Sequence, residues 1–287
     1  MKKFKVKSFC KVNLYLKVIR KRKNKYHDIL SLISFCDLYD IISISINKTS
    51  VDRISFLGKF KNGINNKKNT LSKILYILRK KKLLENKGFV IKVQKNIPHG
   101  SGLGGGSANA ADLLKFLNLK MQLKLNSKEM NKIASQVGFD VPIFMQKKNS
   151  LFTGNKNEIL RLKNKFKYNI LIIYPNIRLS TRKIYRHNKI FTQSVNKFNF
   201  KKNEKKGLIN FLRLQKNDLE ESAIKIYPKI KKVINLMKYQ NGCYFSRITG
   251  SGSACIGIFS SMKNAVFTQK LMKIKFPKYW CVVSKTI

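Results

Sequence analysis

The chain has 287 residues, with 61 Lys and Arg against 13 Asp and Glu, a formal charge of +48, a 43% apolar share and five cysteines. That length holds one large or two modest domains with a real core. No stretch approaches the roughly 18 apolar residues of a membrane span, Lys11 and Lys17 interrupt any apolar leader, and the odd, scattered cysteines lack metal or disulfide spacing, which points to reduced thiols and the cytoplasm. So basic a chain invites nucleic acid or an anionic membrane as partner. Its lysines and arginines, however, run from Lys2 to Lys285 in nearly every block of ten and travel with many Asn and Ile. Such drift recolours solvated faces without building a binding stripe, and argues against nucleic acid. The informative stretches are three it has spared: 95–112, 132–147 (broken only by Asp140) and 247–263.

In chain order, residues 8–18 alternate as a strand. Cys10, Val12, Leu14, Leu16 and Val18 share one face, and Phe9, Lys11, Asn13 and Tyr15 the other. A basic loop leads to Tyr26-His27-Asp28 and an apolar run over 29–35; residues 41–46 predict another strand. A polar loop precedes a helix over 71–84, with Leu71, Ile74, Leu75 and Leu78 on its apolar face. Phe89, Ile91 and Val93 alternate against Val90, Lys92 and Gln94, again a strand. Residues 108–117 predict a helix with Ser107 near its N-cap, and 127–137 a second helix ended by Gly138. A charged stretch without apolar period at 161–168 suggests a boundary, giving domains 1–162 and 163–287. Beyond it lie strands over 169–175, 254–259 and 279–283 and a helix over 220–237.

Between that third strand and its helix, five of the 15 glycines fall between Gly100 and Gly106. Strand, glycine turn and helix N-terminus together let backbone N–H groups converge on phosphate. A Walker loop is excluded, because Gly106 is followed by Ser107 with no lysine. Gly100, Gly102 and Gly105 satisfy the dinucleotide spacing, yet no acid lies between Asp112 and Glu129 to take a ribose. Neither His-Arg-Asp nor Asp-Phe-Gly follows, so the loop is not that of a protein kinase. Asp140 is the candidate catalytic carboxylate. It follows a helix-ending glycine, precedes Pro142 by two residues and stands in an otherwise uncharged segment. Phosphorylating an alcohol requires a group that moves the hydroxyl proton and holds the oxygen in line. A nearby ammonium favours the ionised carboxylate, and Lys11 is the candidate. From periodicity alone, Asp140 as a turn cap and Lys11 as a surface lysine stand equally open.

The string from Pro98 to Ala108 resembles the phosphate loop of the small-molecule kinases that group galactokinase, homoserine kinase, mevalonate kinase and phosphomevalonate kinase. Lys11-Val-Asn13, Tyr26-His27, that loop, Gly138-Phe-Asp140-Val-Pro142 and Ile248-Thr-Gly-Ser-Gly-Ser-Ala254 occur in order. Together they resemble the 4-diphosphocytidyl-2-C-methyl-D-erythritol kinases of the non-mevalonate isoprenoid pathway, over nearly the full chain. The resemblance implies two α+β lobes: an N-terminal ribosomal-protein-like ATP-binding domain and a C-terminal ferredoxin-like domain, the active site in the cleft between. It implies ATP and Mg2+, 4-diphosphocytidyl-2-C-methyl-D-erythritol as acceptor at its 2-hydroxyl, no membrane, and a monomer or homodimer. Lys11 and Asp140 match the catalytic pair. Pro98, His99, Gly100, Ser101, Gly102, Leu103, Gly104, Gly105, Gly106, Ser107 and Ala108 match the ATP loop. Ser107 and Asn109 lie where phosphate or magnesium contacts form. Asn13, Tyr26 and His27 match the substrate pocket, with His27 on the cytosine edge, while Thr181 and Tyr185 take the places of the threonine and ring that hold the base. Gly250-Ser-Gly-Ser253 should line the site. Departures are Lys25 for a glycine, His99 and Ser101 within the loop, and Asn155 and Asn157 where glycines are usual. A kinase of homoserine or a mevalonate, and a basic RNA-binding module, are the alternatives.

Overall fold

The structure is a computed structural model that describes residues 3–22, 27–47, 51–84, 87–154, 158–163, 167–193 and 205–287. Tyr26, Asn155 and Asn157 lie outside them. Contacts group the chain into two units that interleave along the sequence: residues 1–10, 38–99 and 104–147, and residues 11–37, 100–103 and 148–287. They interleave because the two long strands β1 (Lys3–Lys21) and β2 (His27–Asn47), which pair with each other, each contribute to both.

In the first unit the far half of β2 pairs antiparallel with β4 (Gly88–Gln94), which also pairs in parallel with β3 (Arg53–Leu57). Ile42, Ile44 and Ile46 stand opposite Val93, Ile91 and Phe89, so the expected alternation puts both strands' apolar residues on one buried face. Helices α1 (Thr70–Lys80), α2 (Gly105–Lys120) and α3 (Ser127–Val137) pack on one another, with a 3-10 turn at Val141–Met145. Asn69 and Asn126 head α1 and α3 with reciprocal capping boxes. Two expectations shift. Helix α1 ends at Lys80, and Lys82 turns into the left-handed region at φ 56°. Helix α2 begins at Gly105, two residues before Ser107, with Gly104 (φ 72°) as its N-cap.

The second unit holds β5 (Ser150–Thr153) and β6 (Glu158–Arg161), a hairpin added to the near half of β2. It also holds a four-stranded antiparallel sheet built from β7 (Asn169–Tyr174), β8 (Cys243–Ile248), β9 (Cys255–Phe259) and β10 (Trp280–Lys285), in the order β10-β7-β9-β8. Between β7 and β8 run α4 (Thr181–His187), α5 (Lys205–Leu214), α6 (Glu220–Ile226) and α7 (Lys229–Lys238), and α8 (Met262–Lys275) joins β9 to β10. Helices α7 and α8 lie on this sheet, which is the ferredoxin-like arrangement. Leu171, Ile173, Ile230, Val233, Met237 and Met272 share its core. The single helix expected over 220–237 is two, because Pro228 has no N–H to continue α6 and instead stands at the N-cap of α7. Residues 29–35 and 41–46 are one strand, β2, rather than separate runs.

Candidate active site

Strand β1 is buried on both faces over Cys10–Leu16, not only on its aliphatic one. Lys11, Asn13 and Tyr15 are each at most 4% exposed. In the second unit, the Lys11 ammonium donates to Asn13 Oδ1 at 2.6 Å. The Asn13 amide nitrogen donates to Ser31 Oγ at 2.7 Å, and that hydroxyl donates in turn to the Tyr15 carbonyl at 2.6 Å. The Asn13 backbone N–H donates to Thr249 Oγ at 2.8 Å. Asn13 is thereby locked in one orientation and holds the Lys11 ammonium beside the turn after β8. Thr249 and Ser31 have no local sequence signal as partners, since each meets Asn13 only through the fold.

That turn is the second glycine loop. A Cβ at Gly250 would stand 3.2 Å from Asn13 Oδ1 and 3.4 Å from Lys11 Nζ, and Gly250 adopts φ 59°, so glycine satisfies both space and backbone. Asn217 braces the loop by donating to the carbonyls of Ile248 (3.1 Å) and Gly250 (2.8 Å). Residues 100–103 of the first glycine loop join the same cluster. Leu103 accepts from the Lys11 N–H, Ser101 from the Ala254 N–H, and a Cβ on Gly102 would overlap the Thr249 carbonyl. Ser101, read as a departure, is buried here. Arg178 lies over Gly100.

In the first unit the loop runs into the N-terminus of α2, with no acidic residue in the first turn. The N–H groups that a helix leaves without intrahelical partners at its N-terminus, and the helix dipole, favour an anion. Pro98 is buried, His99 exposed and Ser107 half-buried; Ala108 packs in the core. Thr70 Oγ donates to the Gly106 carbonyl at 2.8 Å. Asn109, expected near phosphate or magnesium, directs its side-chain amide to Lys95 and Asp40. Asp140 heads the Val141–Met145 turn, half-buried, and its carboxylate makes no capping hydrogen bond to it. The turn-cap role that periodicity left open is therefore not the one it plays.

The remaining candidates gather elsewhere in the second unit. The rings of His27 and Tyr185 lie 4.9 Å apart, and Phe191, which no motif pointed to, stacks on His27 at 6.5 Å with planes 18° apart. Burial and the Lys21 charge hold the imidazole below its usual pKa. Asp28, next in the chain and buried, pairs with both Arg20 (2.6 Å) and Arg22, whose guanidinium also donates to the Gly154 carbonyl. Those hydrogen bonds and charges lower its pKa against the opposing effect of burial. Thr181 opens α4 and exchanges a hydrogen bond with Ser251 at 2.9 Å, tying it to the second glycine loop.

Two family models match the chain: the GHMP kinases N terminal domain over residues 69–148 and the GHMP kinases C terminal domain over 200–277. The chain is 41% identical, across all of both chains, to a 4-diphosphocytidyl-2-C-methyl-D-erythritol kinase of Pelagibacter ubique (strain HTCC1062). The chain belongs to the GHMP kinases. This kinase is also 33% identical to the 4-diphosphocytidyl-2-C-methyl-D-erythritol kinase of Wolbachia pipientis wMel, with 98% and 97% of the two chains covered. Its fold is similar to a crystal structure of 4-(cytidine 5'-diphospho)-2C-methyl-D-erythritol kinase, at TM-score 0.78 and 22% identity over 99% and 100% of the chains. It also matches a homoserine kinase from Cytophaga hutchinsonii at TM-score 0.69 and 16% identity over 100% and 95%. The expected two-part α+β fold and the small-molecule kinase activity with ATP as phosphate donor hold for this kinase. Among the described residues no helix is long and apolar enough to cross a membrane.

Proposed function

We propose that this kinase transfers the γ-phosphoryl group of ATP to the 2-hydroxyl of 4-diphosphocytidyl-2-C-methyl-D-erythritol, in the cytoplasm, toward isoprenoid precursors. The observation that carries the acceptor is the ring cluster of His27, Tyr185 and Phe191. Homoserine and mevalonate have no base to use such a surface, whereas cytosine stacks on it. The names of the full-length relatives, both 4-diphosphocytidyl-2-C-methyl-D-erythritol kinases, point the same way. All five cysteines stand as thiols, in keeping with a reducing compartment.

Phosphoryl transfer is governed by positioning and by charge stabilisation. In this reading the loop from Pro98 to Ala108 and the start of α2 hold the triphosphate on backbone N–H groups. Asp140 accepts the hydroxyl proton as the acceptor oxygen bonds to the γ-phosphorus and the bond to ADP breaks. Lys11, oriented by Asn13, supplies positive charge to the transferring group. Neutral His27, Thr181 and Tyr185 hold the base. Among the described residues no cluster of three or more His, Cys, Asp or Glu forms a metal cage. Magnesium that rides on phosphate oxygens and water needs one or two oxygen donors from the protein. The Ser107 hydroxyl fits that limited part, and the ion would offset phosphate charge.

The test is product mass after mixing the purified chain with magnesium-ATP and the acceptor, with Asp140→Asn alongside. We expect a gain of one phosphoryl group from the wild type, and turnover lowered about 10²- to 10⁴-fold in the variant, the range for losing a general base. No product from a folded, ATP-binding wild type would overturn the acceptor assignment. Equal turnover in the variant would remove Asp140 from the mechanism.

A further inference from the structure

The first unit buries a charged pair that the chemistry above does not use. Asp40, on β2, is 0% exposed, and Lys95, the first residue past β4, is 2% exposed. Their carboxylate and ammonium are in direct contact. Asp40 Oδ1 accepts the backbone N–H groups of Asn96 at 2.8 Å and Ile97 at 2.9 Å. Its Oδ2 takes the Lys95 ammonium and the side-chain amide of Asn109 at 3.1 Å. Lys95 Nζ donates in turn to Asn109 Oδ1 at 3.1 Å. Both ends of the Asn109 amide are thus engaged.

The placement is what gives this triad meaning. Residues 95–97 are where the chain leaves β4 for the glycine loop, and Asn109 is on the second turn of α2, where it has come back. One carboxylate fastens both roots. The Asn96 amide adds a bond to the Tyr39 carbonyl at 2.9 Å, beside Asp40 on the same strand. The ammonium also lies under the first turn of α2: a Cβ at Gly105 would stand 3.3 Å from Lys95 Nζ. An isolated cation there would be repelled by the positive end of the helix. Asp40 cancels it, so the pair contributes geometry with no net charge under the anion site. A buried ion pair is weak as a source of stability and is better suited to fixing one arrangement.

We propose that Asp40, Lys95 and Asn109 are positioning residues: a neutral clamp across the base of the phosphate loop that sets its backbone N–H groups for a nucleoside triphosphate. This rests on the loop being the ATP site. A glycine-dense loop has little rigidity of its own, so its N–H groups need the clamp to stay converged.

The test is calorimetric titration of magnesium-ATP and, separately, of the acceptor into full-length wild type, Asp40→Asn and Asn109→Ala, with amide hydrogen exchange on each. Asn109→Ala keeps the ion pair, so it is the variant expected to stay folded. The clamp predicts ATP affinity reduced about 10- to 100-fold, the scale of an ångström-level misplacement. Acceptor affinity should stay within about twofold, and exchange should quicken over residues 96–108 but not in β7 and β9. Loss of both affinities in step with a lowered melting point would mean a merely structural role and would overturn the proposal. So would unchanged ATP affinity in a folded Asn109→Ala. A wild type that binds the acceptor but not ATP would sink the loop assignment and the clamp together. A wild type that binds ATP but not the acceptor would sink only the acceptor assignment, and the ATP titrations of the variants would still decide the clamp.

Discussion

Lys95 in the first unit and Lys11 in the second are both buried and both beside a glycine loop, and a carboxylate stands against the first where an amide oxygen stands against the second. Lys95 rests on the carboxylate of Asp40; Lys11 rests on the neutral amide oxygen of Asn13. A carboxylate neutralises the ammonium it holds, whereas an amide oxygen aims it and leaves its charge intact. Burial alone therefore does not make a lysine catalytic. In the proposed mechanism the partner decides whether the cation serves the scaffold or the reaction.

Substitution should separate the two. Lys95→Met strands the Asp40 carboxylate and should cost about 3–5 kcal/mol of stability, read as a fall in the denaturant midpoint. Lys11→Met takes a donor from the Asn13 amide oxygen, a loss worth about 1–3 kcal/mol, and in the proposed mechanism should lower turnover about 10²- to 10³-fold by removing charge from the transferring group. A Lys11→Met protein as unstable as Lys95→Met, with turnover preserved, would break the comparison. Tyr185→Ala touches neither lysine and sharpens the contrast. It should raise the acceptor KM about 10- to 100-fold, the value of roughly 1–3 kcal/mol for a base on a ring, and leave the ATP KM unchanged.

The smallest effect is one of pH. His27 holds its proton less tightly in the folded chain than its ordinary value of 6.5. Between that value and the lowered native one, the unfolded chain binds more protons, so stability rises with pH there and is lost as pH falls below 6.5. The acceptor KM should be flat above pH 6.5 and climb as pH falls through the native pKa, while the ATP KM follows no such curve. A climbing ATP KM in the same window would point away from His27.

What the sequence made legible was local. Phe89, Ile91 and Val93 announce their strand, Gly138 its helix stop, and the run from Gly100 to Gly106 the turn into α2, because each signal lies within a few residues of its effect. The Asp40–Lys95 pair spans 55 positions, and Lys95 is one of 61 basic residues with nothing to mark it. The spacing of β1 shows which side chains share a face but not that both faces are covered, so Lys11 gave no sign of its burial. Thr249, Ser31, Asn217 and Phe191 reach the site only through sheet and loop contacts that no pattern along the chain encodes. Pro228 is the one local signal for the break between α6 and α7, since a proline cannot continue a helix.

The most direct measurement is a comparison of acceptors. Equal concentrations of 4-diphosphocytidyl-2-C-methyl-D-erythritol, homoserine and mevalonate would be offered to the purified wild type with magnesium-ATP, and kcat/KM taken for each. The account predicts turnover confined to the cytidine-bearing acceptor and weakened by Tyr185→Ala. Faster turnover of homoserine or mevalonate, indifferent to Tyr185, would contradict it.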